Sequence, residues 1–328
     1  MNDILDIAAA NLITPMILCF ALGLFAAVAR SELTVPEAAA KTMSLYLLFS
    51  IGFKGGVSVA DHGADASLVL ALIAGVALSF GLPFIAFALL RVLTRLSAMD
   101  AAAVAAHYGS ISIVTFVTAT SVLTGRGITS EGYMVAVAAA MEAPAIISAL
   151  WLVARTSTAG QVQRMDAELW REILLNGSIV LLVGAFFIGM VTGKPGLERI
   201  EAFIVAPFQG VLCLFLLDMG LVAGRGLRGA RGVLSFGALV FGILMPVVGA
   251  AIGLGAGLLL GLSPGGVALM MTLAASASYI AVPAAMRVAL PEANPSVYLT
   301  LSLGVTFPFN LTIGIPTYVA VALAMTGG

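Results

Sequence analysis

Residues 233–261 read VLSFGALVFGILMPVVGAAIGLGAGLLLG, a continuous run that contains no charged side chain. A helix that crosses a bilayer needs about 20 mainly apolar residues, so this run is long enough to span one. Its apolar residues surround the whole helix instead of following one stripe, which is the pattern of a helix embedded in lipid. A membrane barrel is excluded because barrel strands are short and alternate apolar with polar residues.

The rest of the chain has the same character. Hydrophobic residues make up 61% of the 328 residues and charged residues only 9%, whereas a soluble domain carries about 25% charged residues. We therefore predict an all-α integral membrane protein with about ten transmembrane helices. The predicted spans lie at 11–29, 39–60, 66–90, 101–124, 132–154, 172–192, 202–223, 233–261, 265–289 and 296–325.

The charges between the spans predict the orientation of the chain. Eleven of the 15 lysines and arginines lie on the side that is reached after an odd number of spans, and four lie on the other. Positively charged loops stay in the cytoplasm, so both termini are expected on the periplasmic side of a bacterial inner membrane. Residues 1–10 contain no positive side chain, and a cleaved signal peptide is therefore not expected. The formal net charge of -1, without any basic run, argues against a nucleic-acid partner.

The chain divides into two halves of similar length. Residues 1–155 form a predicted first unit of five spans, residues 156–171 a cytoplasmic loop, and residues 172–328 a second unit of five spans. Because five is an odd number, a repeated five-span unit must insert upside down, which is the inverted-repeat design of many secondary transporters. Similar residues recur 168 positions apart: Ser50 with Asp218, Gly52 with Gly220, Gly56 with Gly224 and Ser110 with Ser278.

Spans 4 and 9 are rich in small hydroxyl residues, in the run 108–112 and at Ser276 and Ser278. Pro283 removes a backbone donor and is expected to break span 9 near Tyr279. A broken helix exposes N–H groups and a positive dipole end, and both suit a small anion. The alternative is that these residues serve close helix packing, with their hydroxyls bonded back to the chain.

Few ionisable residues lie inside the predicted spans, where a charge costs at least about 2.5–3.5 kcal/mol. Glu142 is predicted to bind Na⁺ or to carry a proton, with a structural hydrogen bond as the alternative. Asp218 is equally compatible with a helix contact. Prolines on both sides of Asn310 predict a distorted span 10 whose free carbonyls suit Na⁺. His107 is interpreted as a structural donor, with a proton relay as the alternative.

Soluble-enzyme motifs are absent from the sequence. It has no phosphate-cradling loop and no nucleophile elbow, so we do not expect an enzyme. With two histidines and two cysteines in the chain, a transition-metal site is not expected either.

Several stretches resemble the sodium-dependent bicarbonate transporter family, in order and over nearly the whole chain. They are Ser31-Glu-Leu-Thr-Val-Pro-Glu, Gly52-Phe-Lys-Gly-Gly, Tyr108-Gly-Ser-Ile-Ser, Met141-Glu-Ala-Pro-Ala, Ser276-Ala-Ser-Tyr-Ile, Pro291-Glu-Ala-Asn-Pro-Ser and Gly304-Val-Thr-Phe-Pro-Phe-Asn. The resemblance implies two inverted five-span repeats, with spans 4 and 9 broken. It implies a core domain (spans 3–5 and 8–10) that slides in an elevator-type movement against a gate domain (spans 1, 2, 6 and 7). It also implies a homotrimer and a PII-like regulatory partner.

The resemblance also implies the site residues. Bicarbonate would bind between the breaks, at Gly109, Ser110, Ser112, Ser276 and Ser278. Sodium, the expected coupling ion, would bind at the same breaks and at Glu142. Thr115 of span 4, together with Asn310 and Thr306 of the distorted span 10, completes the predicted set of sodium ligands, and no other cofactor is expected. The expected function is import of bicarbonate coupled to Na⁺.

This chain departs from the family pattern in two places. Cyanobacterial members have an aspartate after the serines of span 9 and a Gly-Pro-Pro beyond it, where this chain has Tyr279 and Val282-Pro283-Ala284. Its central loop is also short. Two alternatives therefore stay open: a Na⁺- or H⁺-coupled transporter of another small anion such as a monocarboxylate, and an anion-sensing membrane scaffold that does not transport.

Overall fold

The computed structural model describes residues 14–62, 66–156, 175, 177–229, 235–279, 282–283, 286, 290 and 292–327. The predictions for the N-terminal segment, for nearly all of the central loop 156–171 and for Arg231 and Arg287 lie outside the described residues. The described residues form helices with connecting turns, and no strand occurs among them. The predicted all-α fold is confirmed for this part of the chain.

Most helices follow the predicted spans, but the helix Gly177–Ile204, which was predicted to end at 192, continues past a kink at Gly193, so span 7 begins later than predicted, at Phe208. Eight helical segments of the described chain are long and apolar enough to cross a membrane, and two further apolar helices, Pro15–Val28 and Pro264–Ala275, are shorter. The exact count of ten spans stays a prediction. The helices are α1 Pro15–Val28, α2 Glu37–His62, α3 Ala66–Leu93, α4 Ala98–Gly109, α5 Ile113–Gly125, α6 Met134–Ala140, α7 Pro144–Thr156, α8 Gly177–Ile204, α9 Phe208–Gly229, α10 Phe236–Leu259, α11 Pro264–Ala275 and α12 Pro295–Thr326.

Two helix pairs make the most extensive contacts: α2 against α8 and α1 against α9. The first pair joins spans 2 and 6, and the second joins spans 7 and 1. Because span 7 is the counterpart of span 2 in the predicted repeat, and span 1 that of span 6, the two pairs are equivalent. Glycine lets the backbones approach. A Cβ on Gly52 would lie 2.6 Å from the carbonyl oxygen of Leu182, and a Cβ on Gly220 would collide with the carbonyl oxygen of Phe20. The glycines that recur 168 positions apart in the sequence therefore sit at equivalent helix contacts.

The outer surface of the bundle is apolar. Leu259 is 90% exposed and Phe236 is 82% exposed, and further aliphatic side chains such as Val69, Ile73 and Val191 are exposed as well. Exposed apolar surface of this extent is unfavourable in water and suits a lipid environment. By contrast, every residue of α11 from Gly265 to Ala275 is buried.

Several of the described spans depart from a straight α-helix. Span 9 is interrupted after α11, at Ser276–Ser278, and α8 contains a kink at Gly193, where φ is 57° and ψ is -156°. Span 4 is interrupted between α4 and α5, and span 5 between α6 and α7, a break that the sequence analysis did not predict. In α12, the π-helical segments Thr300–Thr306 and Asn310–Gly314 flank a short α-helical turn, so the distortion expected from its prolines is present.

Candidate functional site

The half-helices α4 and α11 are built alike. Each has 12 residues and begins after a serine, Ser97 or Ser263, whose side chain accepts a hydrogen bond from the backbone N–H three residues on. Such serine N-caps satisfy donors that the first helical turn leaves open. Each helix ends at a serine in extended conformation, Ser110 with φ -89° and ψ 149°, and Ser276 with φ -83° and ψ 163°.

Both half-helices are anchored at their N-terminal ends by an acidic side chain. The Asp100 carboxylate accepts hydrogen bonds from the Ser97 hydroxyl and from the backbone N–H of Asn294, which precedes α12. The Glu131 carboxylate, in the loop before α6, accepts from the backbone N–H of Ser263 at 2.6 Å and from its hydroxyl at 3.1 Å. The start of α4, in the first half of the chain, is thus bonded to Asn294 of the second half. The start of α11, in the second half, is bonded to Glu131 of the first.

The two breaks bind each other directly. The backbone N–H of Ser278 donates to the carbonyl oxygen of His107 at 2.7 Å, and the Ser278 carbonyl oxygen lies 2.6 Å from His107 Nδ1. Because a carbonyl can only accept, Nδ1 carries the proton. The backbone N–H of Ser112 donates to Ser276 Oγ at 2.9 Å. His107 is thus the structural donor that the sequence suggested, and its Nε2 has no hydrogen-bond partner among the described residues.

The hydroxyls at the breaks also hold the ends of the half-helices. Ser276 donates to the carbonyl oxygen of Leu273, in the last turn of α11. Ser112 is the N-cap of α5, and its Oγ accepts from both the backbone N–H and the hydroxyl of Thr115, the latter at 2.9 Å. We call the place where the two breaks meet, at residues 110–112 and 276–278, the crossing. The first-turn N–H groups of α5 and the positive end of its dipole lie there and favour an anion.

Glu142 joins this cluster from span 5. It lies in the break between α6 and α7, it is 5% exposed, and its Oε2 accepts a hydrogen bond from Ser110 Oγ at 3.0 Å. The preceding carbonyl, of Met141, accepts from the Ser79 hydroxyl at 2.6 Å, so α3 holds the break in place.

The two candidate sodium ligands of span 10 lie at different places. Asn310 touches the crossing, since its Nδ2 donates to the last carbonyl of α11, Ala275, at 2.8 Å, and its Oδ1 accepts from the Tyr318 hydroxyl. Thr306 belongs to a separate chain of hydrogen bonds. Its hydroxyl donates to the carbonyl oxygen of Gly242 at 2.6 Å, so the Tyr108 hydroxyl, also 2.6 Å away, must donate to it.

The structure thus brings together Gly109, the four candidate serines, Glu142 and Thr115, and it places Asn310 at their edge. Thr306 is not in direct contact with this cluster in the structure described. The other buried acidic residue, Asp218, lies in α9 and outside the cluster. Among the described residues, no three His, Cys, Asp or Glu side chains group closely enough to hold a metal ion.

Two cavities lie along spans 2 and 7, which the resemblance assigns to the gate. The Lys54 cavity, about 450 Å³, is bounded by α2, α5, the start of α6 and the start of α9. The Tyr279 cavity, about 480 Å³, is bounded by the end of α9, Tyr279 and the start of α12. Seven lining positions of one recur 168 positions later in the other, among them Ile51 and Met219, Lys54 and Val222, Gly55 and Ala223, and Gly132 and Thr300.

Tyr279 separates the second cavity from the crossing. Its ring lines the cavity and packs edge-on against Phe307, with ring centroids 5.4 Å apart. Its hydroxyl is buried and faces the Ser112 side chain without reaching hydrogen-bond geometry. The sequence had marked Tyr279 as a departure from a family pattern, but its position as a partition between cavity and crossing was not predicted.

A bundle of long apolar helices around two crossed helix breaks defines a multi-pass membrane protein with a buried polar site at its centre. A family model described as the Na⁺-dependent bicarbonate transporter superfamily matches residues 15–323, nearly the whole chain. The chain therefore belongs to this superfamily, and the resemblance noted in the sequence is confirmed. A comparison with curated proteins gave no match.

Proposed function

We propose that this protein imports bicarbonate together with Na⁺ by an elevator-type alternating-access mechanism. The observation that carries the proposal is the crossing itself, where Ser110, Ser112, Ser276 and Ser278 converge from two broken helices and Glu142 lies 3.0 Å from one of them. Family membership supplies the substrate class.

The serines and the positive end of α5 suit a small oxyanion. Bicarbonate has acceptor oxygens for the hydroxyls of Ser110 and Ser112 and for the first-turn N–H groups of α5. In the structure the Ser110 hydroxyl donates to Glu142, and the Ser112 N–H donates to Ser276. Substrate binding therefore requires at least the Ser110 hydroxyl to turn away from the carboxylate.

The position of Glu142 supports the proposed sodium coupling. Two like charges about 4 Å apart repel by about 4 kcal/mol at an effective dielectric constant of 20, so bicarbonate next to Ser110 would be opposed by the ionised carboxylate. A Na⁺ ion held by Glu142 and Thr115 would remove this repulsion. Asn310 Oδ1, which accepts from the Tyr318 hydroxyl at the edge of the cluster, is a further candidate ligand, whereas Thr306 would first have to release the Gly242 carbonyl.

The two cavities support alternating access. They are lined by equivalent positions of the two halves, as an inverted repeat requires. We propose that spans 3–5 and 8–10 carry the site past spans 1, 2, 6 and 7, so that each cavity in turn gives access to one side of a bacterial inner membrane with both termini periplasmic. A homotrimer and a PII-like partner on the cytoplasmic side belong to the same proposal and rest on the resemblance alone.

A second candidate is transport of another small anion, such as a monocarboxylate, with Na⁺ or H⁺. The observation that favours it is Tyr279, which stands beside the crossing where other members carry an aspartate. One fewer carboxylate leaves less negative charge to hold cations, and a tyrosine ring would suit an apolar substituent on the anion.

The test is uptake of radiolabelled bicarbonate into proteoliposomes with and without an inward Na⁺ gradient. We expect uptake that requires Na⁺, that unlabelled acetate does not compete with, and that Ser110→Ala abolishes in protein that elutes as a single folded species. Competition by short carboxylates would favour the second candidate. Substrate binding without uptake or counterflow would favour a sensing scaffold.

A further inference from the structure

Lys54 lies in a membrane helix, half-buried, at the wall of the Lys54 cavity. Its ammonium nitrogen lies 4.1 Å from the centroid of the Phe208 ring, across the boundary between α2 and α9. No carboxylate of the described residues lies within ion-pairing distance of this nitrogen. Ionisable residues inside membrane helices are rare and mark functional sites, so a lysine there without an acidic partner is a candidate for binding an anion.

The one acidic side chain that lines the same cavity is already engaged. Glu131 accepts two hydrogen bonds from Ser263 at the start of α11, at 2.6 and 3.1 Å. The other polar groups of the wall are neutral, and Ser121 accepts a short hydrogen bond from Gln209 Nε2. These hydrogen bonds hold the Glu131 carboxylate at the start of α11, whereas Lys54 is the cationic side chain of the cavity wall and lies next to the Phe208 ring.

One face of α5 runs from this cavity to the crossing, and the buried ring of Phe116 lies between the two, so an anion passes only when this ring moves aside. Ser112, Phe116, Thr120 and Thr124 are spaced four residues apart, so they lie one above the other on the same face. The last three line the cavity, and the first caps the helix at the crossing. From Thr120 to Ser112 the helix rises by about 12 Å, a distance that a small anion can cover along a single helix face.

The charge is present in only one of the two cavities at this position. The equivalent of Lys54 in the Tyr279 cavity is Val222. That cavity does contain Arg225, but Arg225 donates to the Leu33 carbonyl oxygen at 3.0 Å and Asp218 lies near enough to interact with it. The two cavities are similar in volume, but the cation of the Tyr279 cavity is already bonded within the protein, whereas Lys54 has no acidic partner among the described residues.

We propose that the Lys54 cavity is a second binding site for a small oxyanion, with the Lys54 ammonium as its cation. The anion waits there before it moves along α5 to the crossing, and the valine that takes the place of Lys54 in the opposite cavity favours its release. The role of this site as a loading site rests on the proposed function, since it presumes that the anion bound is the one transported.

The binding site itself can be tested without transport. The chain has only three lysines, at positions 41, 54 and 194, so acylation by the uncharged reagent N-succinimidyl acetate, followed by peptide mass spectrometry, reports each separately. We expect 50 mM sodium bicarbonate to slow acylation of Lys54 at least about three-fold relative to sodium gluconate at equal ionic strength. The rates at Lys41 and Lys194 should not change. Equal rates at Lys54 in both salts, or no acylation of Lys54 at all, would overturn the proposal.

Transport then tests the loading role. Lys54→Met keeps most of the apolar stem but removes the charge, and we expect it to raise the KM for bicarbonate about ten-fold with little change in the maximal rate. Lys54→Arg should restore the KM to within about two-fold, which a merely structural role in packing would not require. The matched control is Lys194→Met, since Lys194 pairs with Asp61 at 3.2 Å and lines neither cavity.

The outcomes separate this inference from the proposed function. Anion protection of Lys54 in a protein that does not take up bicarbonate would overturn the proposed function and leave the binding site in place. Na⁺-driven uptake with unprotected Lys54 and an unchanged KM in Lys54→Met would overturn the inference alone.

Discussion

Glu142→Gln isolates the charge on which the proposed coupling depends. Glutamine has nearly the same shape, and its side-chain oxygen can still accept the hydrogen bond that Ser110 donates at 3.0 Å. The variant therefore preserves the geometry of the break between α6 and α7 and removes only the negative charge.

The size of the expected effect follows from the burial of the carboxylate. Glu142 is 5% exposed, so solvent screens it weakly, and its attraction for a Na⁺ ion about 4 Å away is about 4 kcal/mol at an effective dielectric constant of 20. The amide oxygen of glutamine carries no net charge, but its dipole still attracts Na⁺ and retains part of this interaction energy. We expect a net loss of about 2–3 kcal/mol, which raises the Na⁺ concentration for half-maximal uptake about 30- to 150-fold, since 1.4 kcal/mol corresponds to ten-fold.

The assay is the initial rate of bicarbonate uptake into proteoliposomes as a function of external Na⁺. Asp218→Asn is the matched control, because Asp218 is 6% exposed and the substitution is chemically equivalent, yet it lies outside the cluster. Its Na⁺ dependence should stay within about two-fold of wild type. Glu142→Asp, which retains the charge on a shorter side chain, should recover part of the affinity. A wild-type Na⁺ dependence in folded Glu142→Gln would refute the sodium assignment.

Three further substitutions test the crossing. Ser276→Ala leaves the backbone N–H of Ser112 without its partner, and should cost about 1–3 kcal/mol of stability, seen as a lower Tm in detergent. Tyr279→Phe removes a hydroxyl that has no partner; the Tm should stay level or rise, whereas a several-fold higher KM would show that the hydroxyl contacts substrate. Gly249→Val should prevent α10 from packing on α11, because a Cβ there would meet backbone atoms, whereas Gly255→Val in the same helix, where a Cβ meets nothing within 4 Å, should leave folding intact.

Hydropathy and helix-breaking residues predicted most of the architecture, because the length of an apolar run and the effect of a proline depend only on residues close by in the sequence. The apolar runs follow from local composition, and the break in span 9 and the distortion of span 10 follow from prolines, whereas the break in span 4 was implied by the family resemblance. The break in span 5 was missed although Pro144 directly follows it. Proline is common at the first position of a helix, and it can also occur inside a kinked membrane helix. Pro144 alone therefore does not show whether α6 and α7 form one helix or two.

The partners at the site could not be predicted from the sequence, because they are set by contacts between distant parts of the chain. Ser112 and Ser276 are 164 positions apart, and Ser278 and His107 are 171 apart. Residue types indicated that hydroxyls would gather at the breaks, and they do. Which hydroxyl binds an amide and which faces a carboxylate depends on the crossing of two helices, and only the folded chain contains that information. Thr306, chosen because its span is distorted, bonds elsewhere for the same reason.

The two halves show the limit of sequence spacing most clearly. A single offset of 168 positions matches the glycines of spans 2 and 7 and the walls of the two cavities, and it pairs Ser110 with Ser278. The half-helices follow an offset of 166 instead, since Ser97 and Ser263 cap helices of equal length that end at Ser110 and Ser276. In this register Ser112 matches Ser278, and both do the same work, because each donates its backbone N–H to the opposite break. Two positions must therefore be gained between the start of α11 and the start of α12, relative to the first half. The two added positions lie between Ser278, which still follows the offset of 166 from Ser112, and Leu299, which matches Glu131 at the offset of 168.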